Sequence, residues 1–178
     1  MARIFVAMAV PVDAEAHLSE HIDGLREARP DLRWTQPSTW HITLQFIGEC
    51  GSREVDRQIS RWEERAARVA PMTLAIAGAG AFPSQAQARV LWAGLDGEMD
   101  RWRRIAMPDQ EPHVTLARVR PAINLAAAVG ELSDYRGPEF VVDAIHVMES
   151  HIRAAGERGP RYTTIATIPL GLTTAWPT

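Results

Sequence analysis

Apolar residues along this chain fall into runs of two different periods. Arg3–Val10 is an almost unbroken apolar run closed by Pro11, the pattern of a buried strand. From Asp13, read as a helix N-cap, to about Arg29 the apolar positions follow helical spacing, and Pro30 ends the helix. Leu32–Thr35 and Trp40–Gly48 read as strands, with a turn at Gln36-Pro37-Ser38 between them. Ser52 is placed to cap a second helix reaching about Val69, with Arg53, Arg57, Arg61, Glu64 and Arg68 along its charged side. Met72–Ala79 reads as a buried strand, Gly78, Gly80, Phe82 and Pro83 as a loop, and Arg89–Leu95 as the next strand. Asp96–Ile105 holds at best a short helix. His113–Arg120 is a strand and Ile123–Leu132 an Ala-rich helix, while Phe140–Glu149 and Tyr162–Leu170 complete the strands. Strands interrupted by amphipathic helices, with no Gly-rich phosphate loop, predict an α+β fold.

Composition narrows the chemistry. With 178 residues, 46% hydrophobic and 23% charged, the chain has the balance and length of a globular unit that folds without a disulfide or metal staple. Its single cysteine, Cys50, excludes an internal disulfide and a multi-cysteine zinc site. Every positive side chain is Arg, so lysine nucleophiles and Schiff-base chemistry are excluded. A net charge of −3 argues against a broadly basic coat for nucleic acid, while leaving room for a local cationic cleft. No apolar stretch has the length of a membrane span. Met1-Ala2-Arg3 before the apolar run imitates a signal peptide, but one Arg is a thin positive region and Pro11-Val12-Asp13 a poor cleavage site. The strand reading is favoured, and a cytoplasmic location is expected.

One repeat carries chemistry. His41-Ile42-Thr43-Leu44 recurs as His113-Val114-Thr115-Leu116, 72 residues later, each copy after a turn containing Pro37 or Pro112. Strand alternation puts His41 and Thr43 on one face, with Phe46 deeper along it, and His113, Thr115 and Ala117 on one face of the second copy. Ile42, Leu44, Val114 and Leu116 anchor the strands from behind. Two imidazoles titrating near neutrality can act together as acid and base, and hydroxyls with a nearby Arg can hold a phosphate. This equipment suits in-line cleavage of a phosphodiester without a metal. It is poor equipment for peptide hydrolysis, since no Ser or Cys nucleophile with an orienting group is apparent.

At these residues the chain resembles the 2H phosphoesterase superfamily, named for two His-x-Thr motifs, and within it the RNA 2′,3′-cyclic phosphodiesterases, also called 2′-5′ RNA ligases. The resemblance spans nearly the whole chain. It takes in Arg3-Ile4-Phe5-Val6-Ala7, Trp34, Trp40 to Gly48, Gly80-Ala81-Phe82-Pro83, Arg89 to Gly94, and His113-Val114-Thr115-Leu116-Ala117-Arg118. Met148-Glu149-Ser150 and Gly159-Pro160-Arg161-Tyr162 also fit. The resemblance implies a single bilobal domain over residues 1–178, two antiparallel sheets with helices outside and a central groove. It implies hydrolysis of RNA 2′,3′-cyclic phosphate ends to 2′-phosphates, with reversible ATP-independent 2′-5′ joining of RNA ends. His41 and His113 are then catalytic, and Thr43, Thr115 and Arg118 bind phosphate. Phe5 and Tyr162 are groove-lining candidates for stacking a base. His113 is expected to deprotonate water while protonated His41 donates to the departing 3′-oxygen.

Strand alternation alone places Arg118 opposite His113, so a twist or bulge is required. Only some seventeen residues separate Leu95 from His113, fewer than the family usually has, which predicts an open groove flank beside a short Glu98–Ile105 helix. No cofactor, metal or protein partner is expected, and the chain is read as a monomer acting on RNA ends or small cyclic nucleotides. Other activities remain open: a phosphodiesterase for 2′-5′ oligoadenylates or small cyclic nucleotides, or a non-catalytic module that binds RNA ends.

Other features read as structural. His17 and His21 are spaced to hold zinc on one helix face, yet no neighbouring acid completes a motif, so a solvated face is expected. His146 reads as a sheet histidine, His151 as a turn residue and Cys50 as an unreactive thiol. Arg101, Arg103 and Arg104 read as a solvated helix edge, and Trp62 and Trp102 as core.

Overall fold

Two antiparallel sheets organise the chain, and each carries one copy of the repeated motif. A computed structural model describes residues 1–151 and 160–171; Gly159 lies outside the described residues. In chain order the elements are β1 (Ala2–Ala9), α1 (Val12–Ala28), β2 (Arg33–Trp34), β3 (His41–Cys50), α2 (Ser52–Ala66), β4 (Met72–Phe82) and β5 (Ala88–Gly97). There follow α3 (Met99–Ile105), β6 (His113–Ile123), α4 (Ala126–Leu132), β7 (Arg136–Val142), β8 (Ala144–His151) and β9 (Arg161–Pro169). One sheet runs β3-β1-β8-β9, the other β2-β6-β5-β4-β7. Helix α2 packs on the first, and α1 and α4 pack on the second.

The core follows from the apolar runs. Ile4, Val6, Met8, Ile42 and Leu44 are buried in the first sheet, and Leu74, Ile76, Leu91, Val114 and Leu116 in the second. Helix α1 buries Ala14, Leu18, Ile22 and Leu25, a helical stripe that lies on the second sheet although the helix follows a strand of the first. Trp62 and Trp102 are 2% and 3% exposed, the core positions expected of them.

Several boundaries differ from the sequence reading. Pro11 takes the cap position of α1 and Val12 opens the helix, so Asp13 sits in the first turn, where its carboxylate favours the helix dipole. Gly51, not Ser52, caps α2, and no side-chain cap bond forms. Strand β4 runs through the expected loop to Phe82, because Gly78 at φ +67° lets a bulge form and pairing resume. Strand β6 continues to Ile123, which leaves the helix to start at Ala126. Phe140–Glu149 is not one strand. It breaks at exposed Asp143, whose carbonyl accepts the Leu170 N–H at 2.7 Å, and the chain crosses from the second sheet to the first. Uniform β propensity concealed that crossing.

The short segment before His113 is tied to the first sheet and to α2. Arg65 of α2 donates to the carbonyls of Ile105 and Ala106 at 2.6 and 2.9 Å, and the Met107 N–H donates to Leu44 of β3. The end of α3 is thus drawn onto the first sheet. Arg101 and Arg103 pair with Glu98 and Asp100 at 2.8 and 2.9 Å, an exposed helix edge of the expected kind.

Candidate active site

The two motifs are built alike at the level of backbone and ring. In each, the residue two places before the histidine turns its carbonyl onto the ring: His41 Nδ1 donates to Thr39 at 2.8 Å, and His113 Nδ1 donates to Glu111 at 2.7 Å. A carbonyl oxygen only accepts, so Nδ1 carries the hydrogen and Nε2 is the atom free to exchange protons. The turns that aim these carbonyls contain the two prolines. A 3-10 turn at Pro37–Thr39 is tied by Thr39 N–H and Oγ1 to Gln36, and Pro112 holds Glu111 extended.

Each motif also ends in a bulge. Thr43 pairs with Ala7 but Gln45 with Val6, leaving Leu44 as the extra residue; Thr115 pairs with Trp92 but Ala117 with Leu91, leaving Leu116. The freed carbonyls are taken by backbone that leads into the opposite histidine strand. Leu44 accepts from Met107 at 3.1 Å and Leu116 from Thr35 at 2.9 Å. The Thr35 hydroxyl reinforces the second bulge, standing 2.8 and 2.9 Å from the carbonyls of Thr115 and Leu116 while accepting Trp40 Nε1 at 2.8 Å.

The bulges decide which side chains reach the groove between the sheets. Ala117, expected beside Thr115, turns into the core at 1% exposure, and Arg118 turns out into the groove. The required irregularity is therefore present. Its counterpart in the first copy is Phe46, which lies at the rim, 67% exposed, rather than deeper along the strand. His41, His113, Thr115 and Arg118 line a groove of about 910 Å³, with Phe46, Tyr162, Trp34 and His151 among its other walls. Thr43 is 5% exposed and lies behind this surface.

Phe5 lines the groove as expected, but it is 2% exposed and packed against His41 at 4.9 Å, Tyr162 at 5.0 Å and Phe46 at 6.0 Å between ring centroids, so its ring supports theirs and offers little surface to a base. Tyr162 is half-buried, edge-on to His41 at 5.2 Å. His113 is braced by Phe82 at 5.0 Å and Trp92 at 6.1 Å. Trp92 can lie there because its strand neighbour is Gly80, where a Cβ would collide with the indole.

Comparison with known proteins agrees with this architecture. The family described as LigT like Phosphoesterase matches residues 9–92, which include the first motif. An Aeropyrum pernix RNA 2′,3′-cyclic phosphodiesterase is 31% identical, covering 80% of this chain and 89% of its own. The chain belongs to the LigT-like phosphoesterase family. The Methanothermobacter thermautotrophicus RNA 2′,3′-cyclic phosphodiesterase is 28% identical, covering 90% of this chain and 95% of its own. The fold is shared with a Thermus thermophilus structure, TM-score 0.71 at 24% identity over 94% of this chain and 97% of that one. Escherichia coli LigT complexed with 3′-AMP has a TM-score of 0.67 at 22% identity, covering 96% and 99%.

Electrostatics within this LigT-like groove favour neutral imidazoles. Burial lowers the pKa of both histidines below the ordinary value, partly offset at each by its carbonyl hydrogen bond. The positive charges of His113 and Arg118 lower His41 further, and Arg118 lowers His113, which Glu111 partly relieves. Among the described residues Arg118 has no acidic partner, so its charge is available to an anion. No group of three or more His, Cys, Asp or Glu converges as a metal site among the described residues. No described helix is long and apolar enough to cross a membrane.

Sequence reasoning missed Phe46 as a rim residue and His151 as part of the groove. His151 ends β8 rather than lying in a turn, and its Nε2 stands 2.8 Å from Thr163 Oγ1. His146 is the expected sheet histidine, 3.1 Å from Thr167 Oγ1. His17 and His21 are exposed, but both meet Tyr135: His17 Nδ1 is 2.9 Å from its hydroxyl, and the His21 ring is 4.6 Å from its ring. Burial pushes the Tyr135 phenol up to about 12. Cys50 is buried, as suits an unreactive thiol.

Proposed function

We propose that this chain hydrolyses RNA 2′,3′-cyclic phosphate ends to 2′-phosphates, and that the two sheets form one catalytic unit because each supplies one histidine. The observation that carries the reading is the matched pair of imidazoles. Each is fixed through Nδ1 to a carbonyl, and among the described residues Nε2 is left free beside an arginine with no ion-pair partner. The named relatives support the substrate class.

The reaction needs one neutral and one protonated imidazole. Water attacks phosphorus in line, its proton passes to the neutral Nε2, the P–O3′ bond breaks, and the protonated Nε2 gives its proton to O3′. The leaving oxygen must therefore face the protonated ring. With O3′ toward His41, His113 is the base, as the sequence suggests. Arg118 favours the neutral form of both rings, while Glu111 favours the protonated form of His113. A cyclic substrate with sulfur at the 3′ leaving position needs no acid, so it should restore turnover to His41→Ala and not to His113→Ala. Restoration of His113→Ala instead would reverse the two roles.

Arg118 and Thr115 hold the non-bridging oxygens, with Thr43 behind them. Phe46 and Tyr162 offer aromatic surface to the terminal base. A 5′-hydroxyl replacing water gives a 2′-5′ phosphodiester without ATP, because the strained cyclic ester already carries the driving force.

The test is incubation of a short RNA ending in a 2′,3′-cyclic phosphate with the protein in EDTA, followed by identification of the product isomer. A 2′-phosphate is expected. A 3′-phosphate, or activity that EDTA abolishes and zinc restores, would overturn the proposal.

A further inference from the structure

We infer that Arg33 is a second phosphate site, taking the phosphodiester immediately 5′ of the terminal nucleotide, so that the groove is built for an RNA strand rather than a lone nucleotide. This rests on the function proposed above and extends it.

The argument begins with the two-residue strand β2. Its pairing with β6 sets Arg33 directly opposite Arg118. Directly opposed residues on antiparallel strands share a face, with Cβ atoms about 4.5–5.5 Å apart, and like charges placed so destabilise the sheet. Both arginines are exposed and both line the groove. Among the described residues neither has an ion-pair partner; Asp31, the acid nearest Arg33 in sequence, is held by Arg29 at 2.7 and 2.8 Å. Two unneutralised guanidinium groups side by side in a cleft are a repulsive arrangement that bound anions relieve.

Arg33 is also rigidly mounted. Trp34 is fixed through Nε1 to the Arg29 carbonyl at 3.0 Å and lies beneath the Arg26 guanidinium, 5.8 Å from its centroid. Thr35 is fixed to the β6 bulge through its N–H and hydroxyl. The two anchored positions that follow Arg33 fix the backbone from which its side chain projects, unlike an arginine on a loose surface loop. Arg118 stands beside Thr115 and the histidines and serves the scissile phosphate. Arg33, one strand farther out, is left for the next phosphate. The groove volume of about 910 Å³ lies near the top of the ~300–1,000 Å³ range of small-molecule sites, leaving room for chain beyond one nucleotide.

The experiment compares wild type, Arg33→Gln and Arg118→Gln on a nucleoside 2′,3′-cyclic phosphate and on a short RNA with the same end. Arg33→Gln is expected to raise KM for the RNA about 10-fold and to lower the salt-dependence slope of RNA binding by about one. On the nucleoside substrate its effect should stay under about 2-fold, whereas Arg118→Gln should impair both substrates. Binding of a fluorescent short RNA bearing a 2′-phosphate, read by anisotropy, should weaken about 10-fold in Arg33→Gln whether or not turnover occurs. Equal loss on both substrates, or unchanged RNA binding, would overturn the Arg33 assignment. Absence of turnover by wild type on both substrates would instead overturn the proposed reaction, with the anisotropy result still deciding Arg33.

Discussion

The strands β3 and β6 begin with the same four-residue pattern and end differently. Both hold a histidine by Nδ1, both bulge at the fourth residue, and both give the bulged carbonyl to a segment leading into the other strand. Beyond the bulge β3 presents Phe46 and β6 presents Arg118. Equivalent positions thus carry an apolar ring on one wall and a guanidinium on the other. On the proposed reading, the difference teaches how a pseudo-symmetric scaffold serves an asymmetric ligand: the histidine is duplicated, while the base and phosphate of a nucleotide would be met by opposite walls.

The comparison can be broken most forcefully at the shared elements. His41→Ala and His113→Ala should each cost at least about 10² in kcat. If either retained wild-type turnover, the walls would not be equivalent in chemistry. Next comes the divergent pair. Arg118→Gln should lower kcat/KM by about 10², the effect of removing one donor to transition-state charge. Phe46→Ala should raise KM for nucleotide substrates by about 5-fold, the low end of base-stacking energies, with an unchanged unfolding midpoint because the ring is exposed. A reversal of that order, with Phe46 the costlier loss, would place the phosphate on the wrong wall. The threonines give a finer contrast. Thr115→Val should cost about 10-fold in kcat/KM, and Thr43→Val less, since Thr43 lies behind the groove surface.

The smallest effect is on stability against pH. Both imidazoles are neutral to lower pH in the folded chain than in the unfolded one. Unfolding therefore takes up protons below the ordinary histidine value, and stability falls as pH drops from about 6.5 through the lowered folded values. Gln at position 41 or 113 should flatten that decline, as read from denaturant midpoints between about pH 7 and pH 5. A steeper decline in the variants would contradict the burial argument.

Much of this was legible in the amino-acid order. The apolar runs placed most strands, and the repeat placed both histidines, because alternation and motif are local properties. Arg118 was legible only as a demand for a bulge, since pairing register depends on the neighbouring strand. The crossing at Asp143 was hidden, because a single residue separates two strands of different sheets and the apolar alternation on either side reads as continuous. The depth of Phe5 was hidden for a similar reason: an aromatic residue on the groove face of β1 is covered when Tyr162 and His41 close over it, and Tyr162 lies far along the chain. Arg33 gave no signal in sequence, its meaning arising entirely from its partner on β6.

The most direct test of the central claim is the rate of cyclic phosphate opening by His41→Ala, His113→Ala and the double variant, measured beside wild type. If the two imidazoles act as one acid–base unit, each single loss should bring the rate close to that of the double variant. Losses that multiply in the double variant would show two independent contributions and contradict the paired mechanism.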